Sequence, residues 1–154
     1  MNKKYLNIFY IFLPLVLGSL MGIIVSNFND YQTLIKPPFS PPSIVFPIAW
    51  SIIYLLLGLS YFFYKNKYEE FNLTCIIYYL SLLINLLWSI IFFALKLRLL
   101  AIIWIISLLI SLILLEYLFF KQSRISFYLN IFYTLWVIYA TYLTIGVYLL
   151  NLQI

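Results

Sequence analysis

Long uncharged apolar runs alternate along the chain with short segments that hold nearly all of the charged residues. A helix needs about 20 apolar residues to cross a bilayer, at about 1.5 Å per residue. Within lipid, an α-helix satisfies its own backbone hydrogen bonds. The pattern therefore predicts an all-α membrane protein, a five-transmembrane-helix bundle. The five runs are residues 5–29, 43–64, 71–95, 99–120 (with Glu116 inside) and 125–154.

We predict a single transmembrane domain over residues 1–154, in which short connections make consecutive helices antiparallel neighbours. The longest connection, residues 28–42, is long enough to fold over the bundle, and we call it the lid. Lys3 and Lys4 before the first run resemble a secretory signal, but the run is longer than a signal core, so a retained helix is favoured. The predicted helices cover about 6–27, 43–64, 72–95, 99–120 and 126–150.

The loop charges predict an orientation. The N-terminus with loops 65–70 and 121–124 carries six Lys and Arg residues, and the opposite side carries three. Positively charged loops stay preferentially in the cytoplasm. We therefore expect the N-terminus in the cytoplasm and the lid outside, in a bacterial cell membrane.

Composition excludes several classes of function. The chain is 66% hydrophobic and 8% charged, whereas soluble domains carry about a quarter charged residues. The net charge of +5 is too scattered for a nucleic-acid surface. With no histidine and only Cys75, the chain lacks the residues for an internal disulfide, a histidine or paired-cysteine metal centre, or a Ser-His hydrolase. No metal and no required cofactor are predicted.

Five of the six prolines lie between Lys36 and Trp50. Pro37-Pro38 and Pro41-Pro42 forbid helix there, and Lys36 would lie at the level of the lipid headgroups. Ser43 is expected to cap a helix that begins near Ile44. The segment is either a stiff connector or a lid of fixed curvature over the mouth of the bundle.

The tryptophans suggest an internal pocket below the lid. Trp50 lies seven residues into the second helix, about 10 Å deep, and Trp88 lies equally far from the outer end of the third. Trp136 shares a helix face with Ala140, which leaves room beside the ring. A polar and aromatic stripe on the third helix should face the same interior. Its members are Ser81, Asn85, Trp88, Ser89 and Phe92.

Each of these residues also has a simpler interpretation. Trp50 and Trp88 are near enough to the interface to belong to an aromatic belt, and Trp104 is predicted to be a belt residue. Asn85 has the alternative role of an interhelical hydrogen bond. Gly18-x3-Gly22 would allow close helix packing.

Three segments resemble the TspO/MBR family (translocator protein / tryptophan-rich sensory protein): "YQTLIKPPFSPPSIVFPIAWSIIYLLLG" at 31–58, "NLLWSIIFF" at 85–93 and "YTLWVIYATYL" at 133–143. The resemblance covers nearly the whole chain, and the three segments occur in the family order. The residues that stand in register are Lys36, Pro37, Pro41, Pro42, Trp50, Tyr54, Gly58, Asn85, Trp88, Phe92, Phe93, Trp136 and Ala140.

The resemblance implies a five-helix bundle, often a homodimer, whose cavity is capped by the first loop. It implies porphyrins such as protoporphyrin IX as ligands, together with benzodiazepine-type and isoquinoline carboxamide compounds. The predicted lid residues are Lys36, Pro37 and Pro38. The predicted ligand-binding residues are Tyr31, Pro41, Pro42, Trp50, Tyr54, Asn85, Trp88, Ser89, Trp136 and Ala140.

The chain also departs from the family pattern. Asp30 stands where the family often has Trp, and Thr144 and Tyr148 replace a frequent Asn and Trp. No Lys or Arg follows Arg124, so the C-terminal sterol pattern of animal members is absent. These departures leave the ligand preference open, and sterol transport is not predicted.

The favoured function is a membrane receptor or carrier for planar hydrophobic tetrapyrroles, because flat aromatic walls offer stacking. Lys36 is a candidate for a porphyrin carboxylate or for a headgroup anchor. The alternative that the resemblance implies is a light-dependent porphyrin-degrading enzyme, with Trp50 and Trp136 as electron donors. No acid–base pair supports it, since Glu116 is expected to be solvated near the inner end of the fourth helix.

Two further functions stay open. An ion-coupled transporter is disfavoured by the odd number of spans, because inverted repeats would be expected. A membrane scaffold without a small-molecule ligand is the remaining alternative. In every case the bilayer is a partner and nucleic acid is not.

Overall fold

The computed structural model describes residues 3–152, which form five long helices. Each helix is long and apolar enough to cross a bilayer, which confirms the predicted five-helix fold. A π-helical turn, Ile90–Ala94, continues the third helix without a break. The helices are α1 (Lys3–Ser26), α2 (Val45–Lys67), α3 (Leu73–Ser89), α4 (Arg98–Gln122) and α5 (Arg124–Leu150).

The helices close into a ring in the order α1, α2, α5, α4, α3, and α3 returns to α1. Among consecutive helices, α2 and α3 are the exception: their backbones are not closely packed, because α2 packs on α5, and they meet through side chains. Large side chains hold the backbones of α2 and α3 apart. The rings of Tyr61 and Tyr78 stack between them with centroids 4.0 Å apart.

Glycine sets the distance between α1 and α2. A Cβ on Gly58 would lie 1.9 Å from the carbonyl oxygen of Ile11, so only a glycine permits this backbone contact. A Cβ on Gly18 would lie 2.0 Å from the ring of Tyr54, whereas one on Gly22 would meet nothing within 4 Å. Of the predicted Gly18-x3-Gly22 pair, only Gly18 is a packing residue.

The end of the bundle opposite the lid is closed by capped helix termini. Asn72 caps α3, and its Oδ1 accepts hydrogen bonds from the backbone N–H of Cys75 (3.3 Å) and the hydroxyl of Tyr64 (2.8 Å). The ammonium of Lys67 donates to the last carbonyl of α4, on Gln122 (2.6 Å). These contacts satisfy backbone groups that a helix end otherwise leaves unpaired.

Two local predictions need correction. Ser43 does not cap α2, because Ile44 is already in the helical conformation and the Ser43 hydroxyl accepts from the amide of Gln32 (2.9 Å). Glu116 is buried rather than solvated, because α5 packs along α4 and covers it. The predicted belt residue Trp104 is partly buried, and its indole N–H donates to the carbonyl of Ile84 on α3 (2.9 Å).

Candidate functional site

Tyrosines of α5 hold the lid through its backbone. The hydroxyl of Tyr142 donates to the carbonyl of Pro38 (2.9 Å), and that of Tyr139 donates to the carbonyl of Phe39 (2.7 Å). Proline has no N–H but keeps its acceptor, so an extended proline segment offers carbonyls to outside donors. The prolines thus give the lid both its shape and its attachment.

Two further contacts fix the lid closely to α5. Pro37 is buried against Gly146, where a Cβ would lie 2.6 Å from the proline ring. The side chain of Asn151 accepts from the N–H of Ile35 (3.1 Å) and donates to its carbonyl (2.9 Å). This side of the lid is therefore joined to the last turns of α5.

An ion pair holds the other side of the lid. Arg98, at the start of α4, donates to both carboxylate oxygens of Asp30 at 2.7 Å, and Lys96 lies 3.6 Å from the same carboxylate. The guanidinium also lies over the ring of Phe92, 4.1 Å from its centroid, and donates to the Phe92 carbonyl. The Arg98 and Asp30 side chains are 13% and 21% exposed, so solvent screens the pair only in part. Asp30 departs from the family pattern, yet it has a defined structural partner.

Tyr31 connects the lid to the space beneath it. Its ring is buried, and its hydroxyl donates to the carbonyl of Pro41 across the lid (3.0 Å). Burial raises the pKa of the Tyr31 hydroxyl above its usual value, so the group keeps its proton and remains a donor. Lys36 lies over the same ring, 5.0 Å from its centroid.

An aromatic chamber of about 60 Å³ lies beneath Tyr31. It brings together five of the predicted ligand-binding residues and six further ones, of which Phe92 belongs to the stripe predicted to face the interior. The predicted ones are Tyr31, Trp50, Trp88, Trp136 and Ala140. The added ones are Phe46, Phe92, Phe93, Leu143, Thr144 and Val147.

The chamber walls are rings from α2, α3 and α5. Trp50 and Trp136 meet edge to face with centroids 6.1 Å apart, and Phe46 contacts Trp136 at 6.3 Å. Trp88 stacks on Phe92 at 5.2 Å. Offset and edge-to-face contacts of this kind are favourable arrangements of aromatic rings.

Some of the lining residues that were not predicted follow the helical spacing of residues that were. Leu143 and Val147 lie three and seven residues after Ala140, so extending the Trp136 face along α5 would have found them. Phe93 had no such signal. It joins Phe92 in the lining because the π-helical turn changes the direction of consecutive side chains.

A second and larger space, which we call the groove, lies between α1 and α2 and measures about 520 Å³. Exposed residues of both helices line it, so it opens on the outer face of the bundle, which the bilayer would cover. Phe46 and Trp50 line the groove and the chamber alike, and so separate the two. Tyr54 and Ser89, predicted for the pocket, line the groove.

Six other predicted residues line neither space. Asn85 lies deeper, where its Oδ1 accepts a hydrogen bond from Tyr54 (2.6 Å), so it makes the interhelical contact that was the alternative interpretation. The others belong to the lid and act through its shape and attachment. These lid residues are Lys36, Pro37, Pro38, Pro41 and Pro42.

Indole donors of the chamber lack partners among the described residues. The indole N–H groups of Trp88 and Trp136 are buried and unpaired, whereas the buried amide of Asn85 and hydroxyl of Tyr133 lie within reach of each other. Each of them can donate a hydrogen bond. A buried unpaired polar group costs about 1–3 kcal/mol. The arrangement therefore favours a ligand that presents acceptor atoms to an otherwise apolar enclosure.

Replacing Tyr54 with Phe is expected to lower the melting temperature in detergent, because Oδ1 of Asn85 loses its hydrogen-bond donor at the α2–α3 contact. The expected loss is about 1–2 kcal/mol. The matched control is Tyr128→Phe, since Tyr128 is exposed. Equal melting temperatures for the two variants would show that the Tyr54–Asn85 bond contributes no stability.

Comparison with known proteins gives one consistent family. A model described as the TspO/MBR family matches residues 10–150. A tryptophan-rich protein TspO from Chlorobaculum tepidum is 31% identical over 124 residues, which cover 79% of this chain and 78% of the relative.

Two further relatives agree. A tryptophan-rich protein TspO from Archaeoglobus fulgidus is 34% identical over 122 residues, 79% of either chain. The protein CrtK of Rhodobacter capsulatus is 29% identical over 133 residues, 84% of this chain and 83% of the relative.

Proposed function

Because the chain belongs to the TspO/MBR family, we propose that it binds a planar hydrophobic ligand, with a porphyrin such as protoporphyrin IX as the candidate, below the lid. The observation that carries this proposal is the set of unpaired donors around an aromatic chamber. Rings supply stacking and dispersion over a flat ligand face, and the indole N–H groups suit carbonyl, carboxylate or ring-nitrogen acceptors.

The chamber alone is too small for a ligand of this size. The chamber measures about 60 Å³, whereas pockets for drug-sized ligands usually measure about 300–1,000 Å³. The groove, at about 520 Å³, is in that range. Phe46 and Trp50 line both spaces, so rotation of these two rings would open a passage between them. A large ligand would then occupy the chamber and the groove together.

Ligand titration tests the proposal. We expect purified protein in lipid nanodiscs to bind protoporphyrin IX and to quench its fluorescence. The double variant Trp50→Phe/Trp136→Phe should bind at least about tenfold more weakly, since two wall rings shrink and an N–H donor is lost.

The sequence provides a matched control, because Trp104 is the remaining tryptophan outside the chamber and bonds to Ile84. Trp104→Phe should leave the affinity unchanged. The same affinity in both variants would reject the chamber as the binding site. A parallel titration with an isoquinoline carboxamide distinguishes general binding of flat aromatic compounds from porphyrin preference.

Porphyrin breakdown is the second candidate function, and the contact between Trp50 and Trp136 favours it, since both proposed electron donors lie side by side at the chamber wall. Illuminating the protein–porphyrin complex and following the absorption spectrum tests it. Decay no faster than with the double Trp→Phe variant, compared at equal bound porphyrin, would reject this function.

We also propose the predicted orientation, with the lid outside and the N-terminus in the cytoplasm, and a homodimer as the family resemblance implies. The orientation is supported by the basic residues Lys65, Lys67, Lys121 and Arg124 at the end opposite the lid. Labelling of single cysteines introduced into the lid of intact cells tests the orientation.

A further inference from the structure

A carboxyl group lies inside the bundle, at the end opposite the lid and away from both the chamber and the groove. Glu116 of α4 is 9% exposed, and Asn130 of α5 is 0% exposed. The Oε1 atom of Glu116 accepts from the amide nitrogen of Asn130 (3.0 Å) and from the hydroxyl of Thr134 (2.8 Å). The group therefore joins α4 to α5.

The same contact leaves two buried oxygens without partners. Neither Oε2 of Glu116 nor Oδ1 of Asn130 has a hydrogen bond among the described residues. In an ionised pair both atoms are acceptors, so neither can satisfy the other. We propose that Glu116 and Asn130 form a proton-binding site. In this site Oε2 of Glu116 carries a proton, and the resulting O–H group donates a hydrogen bond to Oδ1 of Asn130. The carboxylic acid and the amide then exchange two hydrogen bonds, N–H to Oε1 and O–H to Oδ1.

An ionised Glu116 would need a cation, and the nearby cations have other partners. Lys67 donates to the carbonyl of Gln122, Lys121 lies over the ring of Tyr117 (4.4 Å) and Arg124 lies over the ring of Phe120 (3.6 Å). At the lid end, Lys96 and Arg98 form ion pairs with Asp30. An unpaired buried charge costs several kcal/mol, and a bound proton removes that cost.

A metal cation fits the site less well than a proton. Calcium takes 6–8 oxygen ligands and magnesium takes six, as a general rule. Three side chains with oxygen atoms meet here, and the hydroxyl of Thr134 already donates its proton to Glu116. One proton satisfies both unpaired oxygens without further ligands.

The buried titratable groups of α2, α3 and α5 are neutral. Tyrosines and a cysteine occupy the buried faces of the neighbouring helices, and these groups are uncharged at neutral pH. They therefore supply no charge that would favour an ionised carboxylate. They are Tyr61 and Tyr64 on α2, Cys75 and Tyr78 on α3, and Tyr133 on α5.

Helix α5 links the site to the chamber, because it carries residues of both. Thr134 lies two residues before Trp136 on α5, and Asn130 lies six before it, about 9 Å along the helix axis. Loss of the proton would remove the hydrogen bond from the carboxyl O–H to Oδ1 of Asn130. It would also place a negative charge at the α4–α5 contact. The proton thus stabilises the segment of α5 that carries a chamber wall.

Infrared spectroscopy tests the proposal without reference to any ligand, so its outcome is independent of the proposed porphyrin binding. The chain has four Asp and Glu residues, and Asp30, Glu69 and Glu70 lie in loops. We expect the C=O stretch of a protonated carboxyl at neutral pH in the wild type. The band should disappear in Glu116→Gln and persist in the control Glu70→Gln.

The partner residue supplies a second readout. Asn130→Leu should shift the frequency of the band, because the hydrogen bond from the carboxyl O–H is lost. Glu116→Gln should keep the wild-type melting temperature, since an amide offers a donor and an acceptor at the same two positions. Glu116→Leu offers neither and should melt at a lower temperature.

Three results would overturn the proposal. One is the absence of a protonated-carboxyl band in the wild type, and another is a band that survives in Glu116→Gln. The third is a carboxylate whose infrared bands and melting temperature respond to sodium or potassium chloride in the wild type but not in Glu116→Gln. That result would identify a metal-cation site in place of a proton site.

Discussion

Replacing Gly58 with alanine is expected to separate α1 from α2 and to lower the free energy of unfolding by about 3 kcal/mol, the upper part of the range for overpacking. The added Cβ would lie 1.9 Å from the carbonyl oxygen of Ile11 and 2.7 Å from its carbonyl carbon. A backbone atom has no rotamer that relieves the clash, so the helices themselves must move. α1 is the least buried of the five spans, and it therefore has few other contacts that would resist the movement.

Thermal unfolding in detergent measures this effect, and the chain offers a control on the same interface. Gly22→Ala adds a Cβ that meets nothing within 4 Å. It should leave stability unchanged or raise it slightly, because alanine favours helix by about 1 kcal/mol over glycine. Gly18→Ala should fall between the two, since the ring of Tyr54 can move. If Gly58→Ala and Gly22→Ala unfold at the same temperature, the backbone contact is not essential for packing.

Replacing Arg98 with alanine is expected to release the lid. The variant loses a two-oxygen ion pair with Asp30 and the contacts to Phe92. A hydrogen bond to a charged group contributes about 1.5–3 kcal/mol to stability. Hydrogen exchange of the lid amides should therefore accelerate by roughly 10- to 100-fold, at about 1.4 kcal/mol per factor of ten.

Control variants distinguish the effect of the Arg98–Asp30 ion pair from a general effect of positive charge near the lid. Lys96→Ala should have little effect, because Lys96 is 55% exposed and 3.6 Å from Asp30. Arg98→Lys should keep part of the protection, because an ammonium can donate to both carboxylate oxygens as Nη2 does, but it has no second nitrogen for the Phe92 carbonyl and no planar group to cover the Phe92 ring. A double-mutant cycle with Asp30→Asn isolates the pair itself. Equal exchange rates in Arg98→Ala and Lys96→Ala would show that the ion pair does not hold the lid.

Much of the fold was accessible from the sequence because its signals are local. The length of an apolar run determines whether a helix spans a bilayer, and charges mark the ends of the spans. Proline acts on its own backbone and on the residue before it, so the lid was visible as a non-helical segment. The Trp136–Ala140 spacing likewise placed two chamber residues on one face of α5.

Only part of the site could be predicted in this way. Asp30 gave no signal of its partner, because Arg98 lies 68 residues away in the chain. Phe93 enters the chamber through a π-helical turn that apolar periodicity does not reveal. Glu116 was expected to be solvated, since its burial depends on how α5 covers α4.

By itself, therefore, the sequence determined that this is a five-span helical membrane protein with a proline-rich, non-helical first loop and tryptophans on its second, third, fourth and fifth spans. The tertiary structure decided the order of the helices in the ring, the small size of the chamber and its separation from the groove. The physical reason is that lipid-facing and inward-facing residues are equally apolar, so hydrophobicity cannot tell the two faces of a membrane helix apart. That choice depends on which side chains fit together, such as Gly58 on Ile11 and Tyr61 on Tyr78.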